Sequence, residues 1–246
     1  MKTQSTPLKE GYFQPAEWAS HSACWLAWPS AANFWQENLV PAQKEFTALC
    51  KAISESESLE VLVPDDHAQK AAEKALAGTG ARFHKVPFGD IWLRDTAPLF
   101  LSNAKGELAT VRFRFNGWGG KYSLPYDDKV SEKIAGIAGL KTFSFPWILE
   151  GGSIEVDGEG TCLTSRQCLL NKNRNAEDQQ RHKAHETLIQ ADGLAHKVAD
   201  AQRVGHAVAH HHVAGDGGRA LEVVGSARGH LVHEHFFGDA ATKQHA

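Results

Sequence analysis

The chain has 246 residues, with 26 Lys+Arg against 29 Asp+Glu and a formal net charge of −3. Apolar residues make up 42% and charged residues 22%, ordinary usage for a folded domain, which excludes collagen-like and wholly disordered readings. There is no basic excess to hold a phosphate backbone and no apolar run of membrane-spanning length, so neither nucleic acid nor membrane is expected as a partner. The first ten residues are polar with no apolar signal core, and the four cysteines (Cys24, Cys50, Cys162, Cys168) are scattered. The expected address is therefore the cytoplasm, with reduced thiols.

In chain order, residues 23–28 form a compact apolar run closed by Pro29, which predicts a buried strand. The spacing predicts a helix over 40–54, with Phe46, Leu49, Cys50 and Ile53 on one face. A short strand over 59–63 ends at Pro64, and Asp65 or Asp66 can cap the next helix, which stops near Gly78. Residues 82–86 and 110–115 alternate as strands do, and 131–137 reads as a short helix. Strands follow over 142–145 and 153–156, and Asp157-Gly158 turns the chain into 161–164. Alternating elements with short connections predict an α/β fold.

Composition then changes. All seven Trp, all three Tyr and all nine Pro lie at or before Trp147, whereas residues 176–246 hold 11 of the 14 His and 14 Ala. Residues 177–189 could be helical, but beyond them no period of 2 or 3.6 is sustained. This divides the chain into residues 1–175 and an unrelated His/Ala-rich tail over 176–246, expected to be poorly ordered because it lacks the apolar mass for a core. Within the tail, His206 and His210 share a helix-face spacing and His210, His211 and His212 are consecutive. The run His230-Leu231-Val232-His233-Glu234-His235 does not match the His-Glu-x-x-His pattern, so no functional metal site is expected.

Three clusters carry chemistry. Asp90-Ile91-Trp92-Leu93-Arg94-Asp95-Thr96-Ala97-Pro98 combines two carboxylates, a guanidinium and an indole. Such a set suits a flat cation, whose N–H groups the carboxylates accept while the ring covers its face; taken alone, a capped loop with an internal Arg–Asp pair explains it better. In Leu149-Glu150-Gly151-Gly152-Ser153 a carboxylate precedes glycines that permit close backbone approach; taken alone, a tight strand entry with a solvated Glu explains it better. In Phe115-Asn116-Gly117-Trp118-Gly119-Gly120-Lys121, glycines around one Trp make a loop able to lay an indole over a ligand, or equally a surface loop with one anchoring aromatic. None of the four thiols has local sequence that would activate it.

Each cluster is weak alone, but their set and order are specific. Pro15-Ala16-Glu17-Trp18 and Trp25-Leu26-Ala27-Trp28-Pro29 come first. The three clusters follow, then Asn171-Lys172-Asn173-Arg174-Asn175. Together they resemble the agmatine deiminase family, also described as the Porphyromonas-type peptidylarginine deiminases, over residues 11–175. The resemblance implies a pentein fold, an α/β propeller of ββαβ modules that this chain would contain only in part. It implies a cofactor-free hydrolase of putrescine and polyamine metabolism that converts agmatine, a small guanidinium substrate, to N-carbamoylputrescine and ammonia through a Cys thiouronium intermediate. It assigns Asp95 to the substrate guanidinium and Glu150 to the same chemistry, with Trp92 and Trp118 lining the substrate site. A homo-oligomer is left open.

The chain departs from the family after Asn175, where it has neither a Cys nor a His-x-Asp. The family's His and nucleophile are therefore expected to be missing and the chain inactive as it stands. A shifted reading frame or truncated gene would account for both the loss of resemblance and the change in composition. Three alternatives remain beside an agmatine deiminase represented by an incomplete chain: a non-catalytic guanidinium-binding remnant, a peptidylarginine deiminase, and a His-rich metal-binding protein.

Overall fold

The computed structural model describes residues 5–169, 171–175, 197–200, 211–214 and 220–223. Two compact units divide at residue 201, Met1–Ala201 and Gln202–Ala246.

The first unit opens with a two-residue strand β1 (Tyr12–Phe13), followed by β2 (Ala23–Ala27), α1 (Ala32–Trp35), α2 (Leu39–Ile53), β3 (Ser58–Val63), α3 (Asp66–Ala75) and β4 (Arg82–Lys85). Strands β2, β3 and β4 form one parallel sheet in the order β2-β3-β4. Parallel strands need helical crossovers, and α2 and α3 supply them. One sheet face packs Val61 and Val63 against Phe46, Cys50 and Ala72 from those helices. The other packs Ala27 and Leu62 against Leu93, Val130 and Ile134. Burial on both faces explains why residues 59–63 read as a continuous apolar run rather than an alternating one. Glu60, inside that run, is buried, ion-paired with Arg82 and hydrogen-bonded with His84 of the neighbouring strand. Asp65 is the cap of α3, its Oδ1 accepting from the Ala68 N–H at 2.8 Å.

The next elements are the short turn α4 (Leu93–Thr96), β5 (Leu99–Asn103), β6 (Leu108–Arg114), the one-turn segment α5 (Gly117–Gly120), α6 (Asp127–Ala138) and β7 (Lys141–Ile148). Here β5 and β6 pair antiparallel, and β7 returns through α6 to pair parallel with β6, giving one ββαβ module. Then β8 (Ile154–Val156) pairs antiparallel with β9 (Thr161–Thr164), the one-turn helix α7 (Arg166–Leu169) follows, and β10 (Lys197–Asp200) pairs parallel with β9. This is the same strand order as β5, β6 and β7. The architecture is thus the pentein-type α/β arrangement of ββαβ modules, present in part.

Three bounds differ from sequence expectation, each for a physical reason. Strand β7 runs through Pro146 to Ile148 because it lies at a sheet edge, where a missing N–H costs no ladder bond. Strand β5 was not expected, since Leu99-Phe100-Leu101 is apolar on both faces: Leu99 and Leu101 are buried in one cluster and Phe100 packs against another. Helix α6 begins four residues before the expected 131, because Asp127 in its first turn is buried and accepts from the Gly89 and Asp90 N–H groups, contacts that are not local in sequence.

In the second unit, β11 (His211–Ala214) pairs antiparallel with β12 (Ala220–Val223). The lack of periodicity there predicted no element. The expected helix over 177–189 and the expected disorder of the remaining tail fall outside the described residues. No helix among the described residues is long and apolar enough to cross a membrane.

Leu101 is fully buried where β5 and β6 pack on Phe143, Ile154 and Val156. Leu101→Ala should lower the unfolding free energy by about 2–5 kcal/mol, because the fixed strands cannot collapse onto the void. Urea titration measures this, and a loss within about 0.5 kcal/mol, the range of a surface change, would contradict the assigned core.

Candidate functional site

The three sequence clusters come together at the ends of strands. Asp95 sits in α4, which stops because Ala97, preceding Pro98, is forced into an extended conformation (ψ 164°). Glu150 follows β7 and leads into a tight turn over Gly151–Ser153. Trp118 lies in α5 between β6 and α6 and has left-handed backbone angles (φ 55°, ψ 45°), unusual for a residue with a Cβ. Its ring is packed edge-on by Phe115 and Tyr122, at centroid distances of 4.9 and 6.2 Å.

Asp95 is oriented from two sides. The Trp118 indole Nε1–H donates to Oδ2 at 2.9 Å, and the Gly152 backbone N–H donates to Oδ1 at 2.9 Å. Each oxygen keeps lone-pair capacity for a further donor. The glycine pair is required by contact. A Cβ at position 152 would lie 2.4 Å from Asp95 Oδ1, and one at 151 would lie 2.3 Å from the Arg94 carbonyl oxygen.

Glu150 is buried and accepts from Arg174 Nε through both oxygens, at 2.8 and 2.9 Å. Burial lifts its carboxyl above the usual carboxylate range and the Asp95 charge adds to the rise, while Arg174 opposes it. Asp90 does not join this set. Its Oδ1 accepts from the Ile91 N–H, its carboxyl also hydrogen-bonds Trp92, and burial pushes it up to about 6. Trp92 is half-exposed beside Asp90. Arg94 turns outward to ion-pair with Glu17 and Glu155.

The structure thus joins Asp95, Glu150 and Trp118 and sets Trp92 on Asp90. Arg174 and the Gly152 N–H were missed as site groups. Glu150 and Arg174 are 24 positions apart, a separation at which no local spacing signals a pair. The thiols are not in this cluster. Cys24 and Cys50 pack with β3 and α3, where burial pushes them up to about 11 and about 12. Cys162 is buried in the β5–β9 core. Among the described residues no group of three or more His, Cys, Asp and Glu is placed to hold a metal ion. His206, His210, His230, His233 and His235 lie outside the described residues.

Gly151→Ala should disrupt the site by driving Glu150 away from α4, since the added methyl meets backbone rather than a movable side chain. A melting temperature close to that of the parent would contradict the close approach.

Comparison with known proteins gives a consistent picture. The Porphyromonas-type peptidyl-arginine deiminase profile matches residues 13–203, past Asn175. Agmatine deiminase of Ectopseudomonas mendocina is 42% identical over 177 residues, covering 70% of this chain and 48% of that protein. Agmatine deiminase of Medicago truncatula is 37% identical over 188 residues, covering 71% and 50%. The solved agmatine deiminase of Enterococcus faecalis superposes with a TM-score of 0.71 at 30% identity, covering 78% of this chain and 54% of that one. The chain spans about half the length of the curated relatives it matches.

Proposed function

Since the chain belongs to the Porphyromonas-type peptidyl-arginine deiminase family, we propose that residues 1–175 form the substrate-holding part of an agmatine deiminase-type hydrolase. The observation that supports this most is the Asp95 carboxylate, fixed by the Trp118 indole and the Gly152 N–H beside a second carboxylate, Glu150. A guanidinium has paired, coplanar N–H groups and a flat face. Two carboxylates and an indole match both features.

The reaction hydrolyses agmatine to N-carbamoylputrescine and ammonia, a step of polyamine metabolism that uses only protein side chains. A guanidinium carbon is a poor electrophile because its charge is delocalised. Orientation by the carboxylates prepares it for attack by a thiolate, with loss of ammonia and then hydrolysis of the thiouronium. This chain carries the orienting groups. After Cys168 it has no cysteine, and after Asn175 no His-x-Asp, so it holds substrate without turning it over. Agmatine is preferred to peptidylarginine because the matched relatives are named agmatine deiminases. Equilibrium dialysis of labelled agmatine against the 246-residue chain tests the reading. Saturable uptake at one site per chain is expected, and no uptake contradicts it.

A further inference from the structure

Arg174 sits inside this site although no step of the proposed chemistry uses it. Its side chain is 10% exposed and that of its partner Glu150 3%. A carboxylate and a guanidinium this deeply buried are costly unless the pair does something that an apolar pair would not.

Two contacts suggest what that is. Toward the strand side, Arg174 Nε bridges both oxygens of Glu150. Toward the loop side, Gly119, the residue after Trp118, passes so close to this turn that a Cβ there would lie 3.3 Å from Arg174 Nη1 and 3.3 Å from the Asn173 Cβ. Asn116 also donates to the Asn173 carbonyl at 2.9 Å. The turn itself is fixed to the end of β7. Asn175 Oδ1 accepts from the Ile148 N–H, and its Nδ2 donates to the Ile148 and Leu169 carbonyls. Arg174 therefore lies between the two halves of the cluster.

Charge points the same way. The charged groups facing Glu150 are Arg174 from the 171–175 turn and Asp95 from α4. Two carboxylates and one guanidinium leave the set at −1, which one monocation neutralises. A neutral ureido product leaves that charge uncompensated and is held less tightly.

We propose that Arg174 is a positioning residue of the guanidinium site: it fixes the inward-facing Glu150 carboxylate and seats the Trp118 loop, so that Asp95, Glu150 and the indole face a single monocation. This rests on the guanidinium-binding reading above, but it is tested separately from it.

The test uses the 246-residue chain and its R174Q and R174K variants. It follows the carboxyl 13C titration of Glu150, assigned with E150Q, and the Trp118 indole N–H resonance, assigned with W118F. In R174Q the Glu150 titration moves upward, because burial and Asp95 act without their opposing cation, and the Trp118 resonance shifts. Agmatine binding weakens about tenfold, and the pH below which it falls away moves upward together with the Glu150 titration. R174K keeps a cation, so Glu150 titrates close to its parent position, while the Trp118 resonance still shifts because the guanidinium group that lies against Gly119 is gone. Unchanged Glu150 and Trp118 signals in R174Q overturn the proposal, as does a lower melting temperature with both signals in place. If R174Q does not fold, R174K decides it alone: an unmoved Trp118 resonance overturns it. Failure of the parent chain to bind agmatine would remove the guanidinium reading, while the two signals would still decide the role of Arg174.

Discussion

The 246-residue chain should release no ammonia from agmatine above background. Deimination requires a thiolate within reach of the guanidinium carbon and an acid for the departing ammonia. Cys24 and Cys50 lie in the β3–α2–α3 core with thiols pushed up to about 11 and about 12, mainly by burial. Cys162, in β9 opposite Val156 of β8, is fully buried. Cys168 lies in α7, its backbone N–H bonded to the Ser165 hydroxyl. His21 and His84 are engaged with Glu57 and Glu60. On the proposed reading Asp95 and Glu150 orient the substrate and supply no nucleophile, so no turnover is expected rather than slow turnover. Ammonia release that stops when one of the four thiols is alkylated would contradict this.

Asp95→Asn should weaken agmatine binding by about 100-fold, the equivalent of about 3 kcal/mol for a charged hydrogen-bonded contact. The substitution keeps the size of the side chain but removes its charge. It also puts an amide NH2 where an acceptor is needed, facing either the Trp118 indole or the Gly152 N–H. Asp90→Asn, a few residues away, should change affinity little, because Asp90 is turned to Ile91 and Trp92. Calorimetry on both variants separates them. Near-parent affinity for Asp95→Asn, or equal losses for the two, would show that the anchor lies elsewhere.

Much of the fold was legible because it is set by local patterning. The apolar run over 59–63, the Asp65 cap and the Asp157-Gly158 turn each carry their cause in adjacent residues, and each is found in place. The extent of β7 and the presence of β5 were not legible, because an edge position and two-sided burial are properties of the assembled sheet. The site divides in the same way. Asp95, Glu150 and Trp118 stand out as chemistry-bearing residues in short motifs, and the glycines at 151 and 152 announce a close approach. What they approach could not be read, since Gly152 meets Asp95 across 57 positions and Arg174 meets Glu150 across 24. The left-handed backbone of Trp118 was hidden for the same reason: the contact with Asp95 that holds it is not local.

The claim that this cluster recognises a guanidinium is tested most directly by calorimetric titration of the 246-residue chain with agmatine and, separately, with putrescine. The two ligands share a four-carbon amine and differ only in that agmatine carries the guanidinium. The account predicts saturable binding of agmatine at one site per chain, with putrescine bound at least about tenfold more weakly, since it cannot offer paired coplanar donors to Asp95 and Glu150. Equal affinity for the two, or no binding of agmatine, would contradict it.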